Sequence, residues 1–461
     1  MEELEHDAED LNQQLLRIQE ALYNAIDENN LVCLRQLLEQ GANVDQFYED
    51  DQNISSKSIL HIACGKGRTE CVKILLEAGA MADIRDKWGQ TPLMYCICVQ
   101  FLDTAGILLD HLGASATEIV NNQDRFGKSA LHSAAETNNV EAVELLLHHG
   151  ADVNIQNFDG VTPLMVAAEN CGCCRSLKAM EALIRAGALV NCVDYRSKRS
   201  ALQRASLSKN VAAVELLLAS GADVDSLDAT GRSGLTNLMW DHVRNRKGLC
   251  HIDPDVMTII VLLTQSTSNL DLSVCEYSNP LVTATFLQAT VLVRFFLEQG
   301  AQPNVSFVSG VTPLLIATSK KDLETVKILL SFNCHMSIKG RVFRRRHDTE
   351  FTFDPCEMAV DDESYHIVQL FLQAGYNAQQ IKKQLRLKLN ADSKDCPSNV
   401  DPQLRQWLLD RASQPPSLKE IIVFKIRKIL DQDLHKAVTQ LPLPSRVKDM
   451  ILLRNILSVS F

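Results

Sequence analysis

The chain has 461 residues, and its 46 Lys and Arg against 57 Asp and Glu give a formal net charge of −11. This length exceeds what one hydrophobic core usually organises, so several domains or a repeat structure is expected. The acidic balance argues against nucleic acid as the main partner, because phosphate binding requires clustered cations. An acidic start, and apolar runs far shorter than about 18 residues, argue against a secretory signal and a membrane partner. The sequence therefore predicts a cytoplasmic or nuclear protein whose 14 Cys are reduced.

The first predicted element is an amphipathic helix within residues 1–30. Its apolar residues are spaced so that they share one helical face: Leu11, Leu15, Ile18, Leu22 and Ile26. We interpret this segment as a capping helix that leads into the first copy of the repeat described next.

A two-helix pattern occupies residues 160–188. Thr162 is placed to cap a helix that begins at Pro163, where the missing N–H has no cost. Gly187 is placed to end a second helix in the left-handed conformation. Two helices this short cannot bury their own apolar sides, so the pair is expected to stack on copies of itself.

Copies of the pattern occur along most of the chain. A closing Gly-Ala pair recurs in phase in six further places, and the spacing of the starts is 33, 38 or 46 residues. The capping position recurs at these residues, with a degraded copy near Pro355: Ser58, Thr91, Ser129, Thr162, Ser200, Ser233, Asn279 and Thr312.

These residues resemble ankyrin repeats. The resemblance implies an all-α solenoid over residues 31–378, built from nine or ten helix pairs joined by short β-hairpin fingers. It also implies binding of another protein along the concave face, and it implies no chemistry.

Two groups of residues could be mistaken for catalytic or metal sites. His61 and His132 occupy a repeat position at which a His is expected to hydrogen-bond the neighbouring backbone. The cysteines between 171 and 174 lack a second ligand pair at zinc-site spacing, so we expect reduced thiols and no metal. Neither a cofactor nor an enzymatic activity is expected, since no phosphate-binding loop or catalytic triad spacing is present.

The densest positive stretch lies at residues 339–347, in an inter-repeat finger. Its arginines are Arg341, Arg344, Arg345 and Arg346. Three interpretations remain open: a solvated loop, a nuclear-import-like run, and an anchor for acidic or phosphorylated residues of a target protein.

Residues 379–414 have the composition of a linker with short helices, and residues 415–461 have a pattern of their own. Three short helices are predicted there, and they carry more apolar surface than they can bury among themselves. The second and third helices are separated by Leu441-Pro442-Leu443-Pro444. A binding partner for this tail is therefore expected.

The tail resembles a SOCS box. In that family the first helix binds Elongin C, and the matching residues here are Leu418, Ile421, Ile422 and Ile426. A Leu-Pro-x-Pro element and the apolar residues after it favour cullin 5, and they match Leu441, Pro442, Leu443, Pro444, Val447 and Met450. Ile422 stands where the family usually has Cys, and Met450 where an aromatic residue is frequent.

Ankyrin repeats followed by a SOCS box resemble the layout of the ankyrin-repeat and SOCS-box family. The resemblance implies a substrate receptor of a ubiquitin ligase, with Elongin B, Elongin C, cullin 5 and a RING-box protein as partners and an unidentified target on the repeats. The alternative from another functional class is an ankyrin scaffold or sequestering protein outside any ligase.

Overall fold

The structure is a computed structural model that describes residues 17–49, 56–170, 176–245, 252–271, 278–306, 310–343, 350–389 and 401–413, with four single positions beyond them, Val438, Ser445, Val447 and Lys448. It divides into two compact units, residues 1–230 and 231–461. Both are mostly helical in their described parts, which confirms the predicted fold class.

The described part of the first unit contains six helix pairs, with a short helix, α7, inserted after the third pair. The first and second helices of successive pairs form two layers, because the paired helices from α2 onward contact their counterparts in the next repeat. The bounds are α1 (17–27), α2 (Leu31–Glu39), α3 (Ile59–Gly65), α4 (Thr69–Glu77), α5 (Pro92–Val99), α6 (Leu102–Leu112), α7 (Ala116–Val120), α8 (Ala130–Glu136), α9 (Val140–His148), α10 (Pro163–Glu169), α11 (Ser176–Arg185), α12 (Ala201–Leu207) and α13 (Val211–Ala219).

The described part of the second unit contains four further repeat pairs, and α22 and α23 follow them. The bounds are α14 (Gly234–Asn245), α15 (Pro254–Ser266), α16 (Pro280–Phe286), α17 (Thr290–Glu298), α18 (Pro313–Ser319), α19 (Leu323–Ser331), α20 (Pro355–Asp361), α21 (Tyr365–Gln373), α22 (Ala378–Leu389) and α23 (Pro402–Ser413).

The predicted capping residues begin the first helix of their repeats. The Thr162 hydroxyl accepts the Met165 backbone N–H at 3.3 Å, with Pro163 in the first helical turn. Each such cap contributes about 1 kcal/mol to helix stability. The residue two places after the cap is a fully buried Leu in most repeats, for example Leu60, Leu93 and Leu131. Each of these side chains contributes about 1.5–3 kcal/mol through burial.

Strand pairing is confined, within the described ranges, to two fingers and one isolated bridge. In the first unit β1 (Phe47–Glu49) pairs with β2 (Ser56–Ser58), and in the second unit β3 (Gly340–Phe343) pairs with β4 (Glu350–Phe353), both antiparallel. The other described fingers are tight turns, because too few residues separate the second helix of one repeat from the next cap.

The stretch interpreted from sequence as a linker carries two packed helices. α22 and α23 contact each other, and they also contact α20 and α21 of the last repeat. Ile381, Leu385 and Leu408 are fully buried between them. None of the helices in the described ranges is both long and apolar enough to cross a membrane.

Candidate partner-binding surfaces

Four fingers of the first unit are each fixed by a buried Asp or a half-buried Asn. The Asp124 carboxylate accepts the backbone N–H groups of Phe126 and Lys128, both at 2.8 Å. Asp86 and Asn157 make the same two-bond turn, and Asp194 makes a turn one residue longer, in which it accepts the N–H groups of Ser197 and Arg199. These residues were not predicted from sequence, although their regular position five or six residues before the cap was a usable signal.

Successive finger tips are joined by backbone hydrogen bonds. The Arg125 N–H donates to the Trp88 carbonyl at 2.9 Å, and the Phe158 N–H donates to the Phe126 carbonyl at 3.2 Å. The Tyr195 N–H donates to the Asp159 carbonyl at 2.8 Å. Four tips from four repeats therefore lie side by side, and we call residues 87–88, 125–126, 158–159 and 195–198 the finger row.

Each tip of the finger row carries an exposed aromatic side chain. The exposed fractions are 40% for Trp88, 59% for Phe126, 68% for Phe158 and 58% for Tyr195. Two of the rings lie against a glycine of the preceding tip. A Cβ on Gly127 would come within 2.8 Å of the Phe158 ring, and one on Gly160 within 2.7 Å of the Tyr195 ring.

The exposed charges at the tips of the finger row are mostly cationic, although the chain as a whole is acidic and the carboxylates of Asp86, Asp124 and Asp194 lie buried beneath the tips. Exposed cationic side chains at the tips are Lys87, Arg125, Arg196 and Lys198, and Asp159 is the only exposed carboxylate among these tip residues.

His61 and His132 are structural, as the sequence predicted. The His132 Nε2–H donates to the Val161 carbonyl at 2.9 Å, and Nδ1 accepts the Ser129 backbone N–H at 3.1 Å. His61 makes the same pair of bonds with Gln90 and Ser58. Burial lowers the pKa of both imidazoles below the usual 6.5, although the backbone hydrogen bonds act in the opposite direction. Both side chains therefore bridge repeats in their neutral form.

We expect His132→Gln to be tolerated and His132→Ala to destabilise the fold by about 1–3 kcal/mol, because Ala leaves two buried backbone groups unpaired. The repeat of α12 supplies the precedent. Gln203 donates there to the Ser226 carbonyl at 2.8 Å and accepts the Ser200 N–H at 3.2 Å. Urea unfolding of both variants near neutral pH measures the difference.

The same two histidines predict a loss of stability in acid. Their folded pKa is lowered, so below about pH 6.5 the unfolded chain binds protons that the folded chain does not. The contribution of the two neutral imidazoles to the free energy of unfolding is complete above that pH and is lost as the pH falls through their folded pKa. We expect the His61→Gln, His132→Gln double variant to lose less stability than wild type between about pH 7.5 and 5.5. Parallel curves for the two proteins would contradict the assignment.

Side-chain amides join the loops that follow the second helices. The side-chain oxygen of Asn154 accepts the Leu189 backbone N–H of the next repeat at 2.7 Å, and its side-chain NH₂ donates to the Gly187 backbone carbonyl at 3.4 Å. Asn121 and Asn191 make the same contacts one repeat away. These residues were not predicted from sequence either, and their signal was an Asn three places after the Gly-Ala pair in the repeats of Asn154 and Asn191.

The basic finger of the second unit is the hairpin β3–β4. Arg341 is exposed on β3, while Arg344, Arg345 and Arg346 lie outside the described residues. The base of the hairpin is closely packed, since a Cβ on Gly340 would come within 2.5 Å of Leu315 and 2.7 Å of the Gly310 carbonyl. Lys339 pairs with Glu357 at 3.1 Å. The hairpin is thus held at its base.

Most of the predicted SOCS-box contact residues lie outside the described residues: Leu418, Ile421, Ile422, Ile426, Leu441, Pro442, Leu443, Pro444 and Met450. Val447 is helical and half-buried, and Val438, within the predicted second helix of the tail, is helical and fully buried. The Cys171 to Cys174 cluster also lies outside the described ranges. Elsewhere in the described chain, no group of three or more His, Cys, Asp or Glu side chains could hold a metal ion.

Comparison with protein families matches the first half of the chain and its tail. The model for ankyrin repeats (3 copies) matches five overlapping segments, 4–86, 22–120, 80–157, 115–194 and 156–228. The SOCS box model matches residues 414–452. The chain is an ankyrin-repeat and SOCS-box protein.

Curated proteins similar to this ankyrin-repeat and SOCS-box protein match it over part of their length. Ankyrin repeat and SOCS box protein 16 of Homo sapiens is 32% identical over 205 residues, 44% of this chain and 43% of that protein. B-cell lymphoma 3 protein homolog of Mus musculus is 28% identical over 258 residues, 54% of this chain and 53% of that protein. Neurogenic locus notch homolog protein 1 of Homo sapiens is 30% identical over 31% of this chain and 6% of its own length. The matched part of the chain thus spans about half or less of the length of these relatives.

Proposed function

We propose that this protein is the substrate-recognition subunit of a cullin-RING ubiquitin ligase. The observation that carries the proposal is the SOCS box matched at residues 414–452, after repeats of a protein-binding type. Similarity to Ankyrin repeat and SOCS box protein 16 supports the same combination. In this proposal residues 31–378 form the target-binding repeats, 379–414 connect them to the tail, and 415–461 form the SOCS box.

The tail is proposed to make two separate contacts. Leu418, Ile421, Ile422 and Ile426 bind Elongin C, which brings Elongin B. The Leu441 to Pro444 element, with Val447 and Met450, binds cullin 5, which carries the RING-box protein. This chain then acts as an adaptor, and its contribution to catalysis is to hold a target near the ubiquitin-charged enzyme.

Co-purification tests the proposal most directly. The tagged full-length chain, expressed in cells, is expected to recover Elongin B, Elongin C and cullin 5. Recovery of none of them would leave the scaffold or sequestering alternative and would contradict the ligase function.

We further propose that the basic finger receives acidic or phosphorylated residues of the target. Contacts between exposed charges contribute about 0.2–1 kcal/mol each, so replacing Arg341, Arg344, Arg345 and Arg346 by Ala should weaken target capture about tenfold. Raising the salt concentration should weaken capture by the wild type much more than by the variant. Replacement of Lys382 and Lys383, cations of α22, serves as the control. Capture that responds neither to salt nor to the four substitutions would show that this finger is not the anchor.

A further inference from the structure

The finger row combines features that are individually ordinary and together indicate a binding surface. Four large rings are exposed in neighbouring repeats, and the tips that carry them are hydrogen-bonded to one another. Exposed large apolar side chains that cluster on neighbouring repeats are typical of interaction sites. The side chains of Asp86, Asp124, Asn157 and Asp194 hold each turn, so little conformational entropy would be lost when a partner binds.

We propose that the finger row binds an extended acidic segment of a target protein, with an apolar side chain at every third residue. The proposal rests on the receptor function proposed above and assigns it a class of target sequence. Trp88, Phe126, Phe158 and Tyr195 contact the apolar side chains. The neighbouring cations contact the acidic residues between them.

The spacing of the repeats favours this period. Packed helices lie about 8–10 Å apart, which sets the distance from one finger to the next. A polyproline II segment rises about 3.1 Å per residue with three residues per turn, so every third side chain returns to the same face after about 9 Å. An aligned segment of this type can therefore present one apolar side chain to each finger.

The exposed charges at the tips of the row favour an acidic partner. Lys87, Arg125, Arg196 and Lys198 outnumber Asp159 at the exposed tips. Four cations beside four rings match a short acidic peptide better than a nucleic acid, whose binding commonly neutralises about six to ten phosphates.

Contacts with neighbouring residues fix the orientation of two of the rings. The Tyr195 hydroxyl donates to the Gln156 side-chain oxygen at 2.5 Å, and its ring covers Gly160. Phe158 covers Gly127 in the same way. These two rings are therefore held against the preceding repeat and need not reorganise to receive a partner.

The test measures binding of defined peptides to the full chain by fluorescence anisotropy. The probe is a fluorescein-labelled peptide of about twelve residues with the repeating unit Leu-Pro-Glu, long enough for about four fingers. Three control peptides have Ser in place of Leu, Lys in place of Glu, or the same composition in scrambled order. We expect the probe to bind at least about tenfold more tightly than each control, because each control removes one of the three matched features.

Variants of the protein locate the site. Phe126→Ser with Phe158→Ser should weaken probe binding by about tenfold or more, because both rings are central in the row. Val32→Ser is the matched control, since Val32 of α2 is 68% exposed, as is Phe158, and lies outside the row. Arg125→Glu with Arg196→Glu should reverse the preference between the Glu and Lys peptides. Thermal unfolding of each variant establishes that loss of binding is not loss of fold.

The outcomes separate the possibilities. Equal binding of the scrambled peptide, or unchanged binding by a folded double Phe variant, would overturn the proposal. Tighter binding of an oligothymidylate of equal length would assign the row to nucleic acid instead. Recovery of Elongin B and C by the same protein samples reports on the tail alone. If the probe does not bind while Elongin B and C are recovered, the finger-row assignment is wrong and the proposed receptor function is unaffected.

Discussion

Replacing Leu418 with Ala is expected to abolish recovery of Elongin B and C by this chain, while the wild type recovers both. In a SOCS box this Leu enters an apolar pocket of Elongin C, and removal of a buried Leu costs about 2–5 kcal/mol. A loss of that size lowers affinity by more than a factor of about thirty. Pull-down from cells that express the tagged full-length chain measures the result.

Ile422 supplies a sensitive control at the neighbouring position. It stands where the family usually has Cys, keeps the apolar character and adds bulk at the β carbon. Overpacking of a fitted site costs about 1–3 kcal/mol, so Ile422→Cys should leave Elongin binding equal or tighter. Weaker binding of Ile422→Cys would show that this tail packs on its partner differently from the family.

The proline element should act at a separate step. Pro442→Ala with Pro444→Ala is expected to lose cullin 5 while Elongin B and C remain bound. Recovery of Elongin B and C by the double variant would also show that its tail is folded. Loss of all three partners by a folded tail would contradict two independent contact surfaces.

The second large effect is expected at Gly127. The residue has a φ of +77°, and a Cβ would come within 2.5 Å of the Phe158 backbone nitrogen and 2.8 Å of the Phe158 ring. Gly127→Ala therefore combines left-handed strain of about 1–2 kcal/mol with a clash against the backbone of the next finger. Overpacking of this type adds about 1–3 kcal/mol, which is a large part of the stability of most domains.

Gly187→Ala is the matched control for this substitution. Gly187 has a φ of +90°, but a Cβ added there would meet no atom within 4 Å. Both variants carry the backbone strain and the same change in the unfolded chain, so the difference between them isolates the contact between fingers. Urea unfolding measures both. Equal destabilisation by the two substitutions would mean that the fingers separate without cost and do not form a fixed row.

The local elements were predictable because their signals are local. Thr162 with Pro163 specifies a helix start from two adjacent residues, and Gly187 specifies a helix end within one turn. The same logic identified Ser233 and Asn279, although the spacing between them is stretched to 46 residues. The described helices begin immediately after both positions.

The predicted functional residues depend on a resemblance more than on geometry. Leu418 and its neighbours follow from the SOCS-box pattern, and the family match at 414–452 agrees with the predicted position of that box. Their individual contacts remain predictions. Arg341 is the member of the basic finger that the structure describes, and it is exposed on β3 as an anchor requires.

The sequence by itself determined the repeat period, the helix starts and ends and the type of tail, since each is encoded within a few neighbouring residues. Tertiary structure alone decided which fingers form strands, that α22 and α23 pack on the last repeat, and that four aromatic residues lie in one row. Successive aromatic residues of the row, Trp88, Phe126, Phe158 and Tyr195, are 32 to 38 residues apart in sequence. No local conformational preference brings them together. Their proximity arises because each repeat stacks on the next at helix-packing distance, and backbone hydrogen bonds between the tips then fix the register.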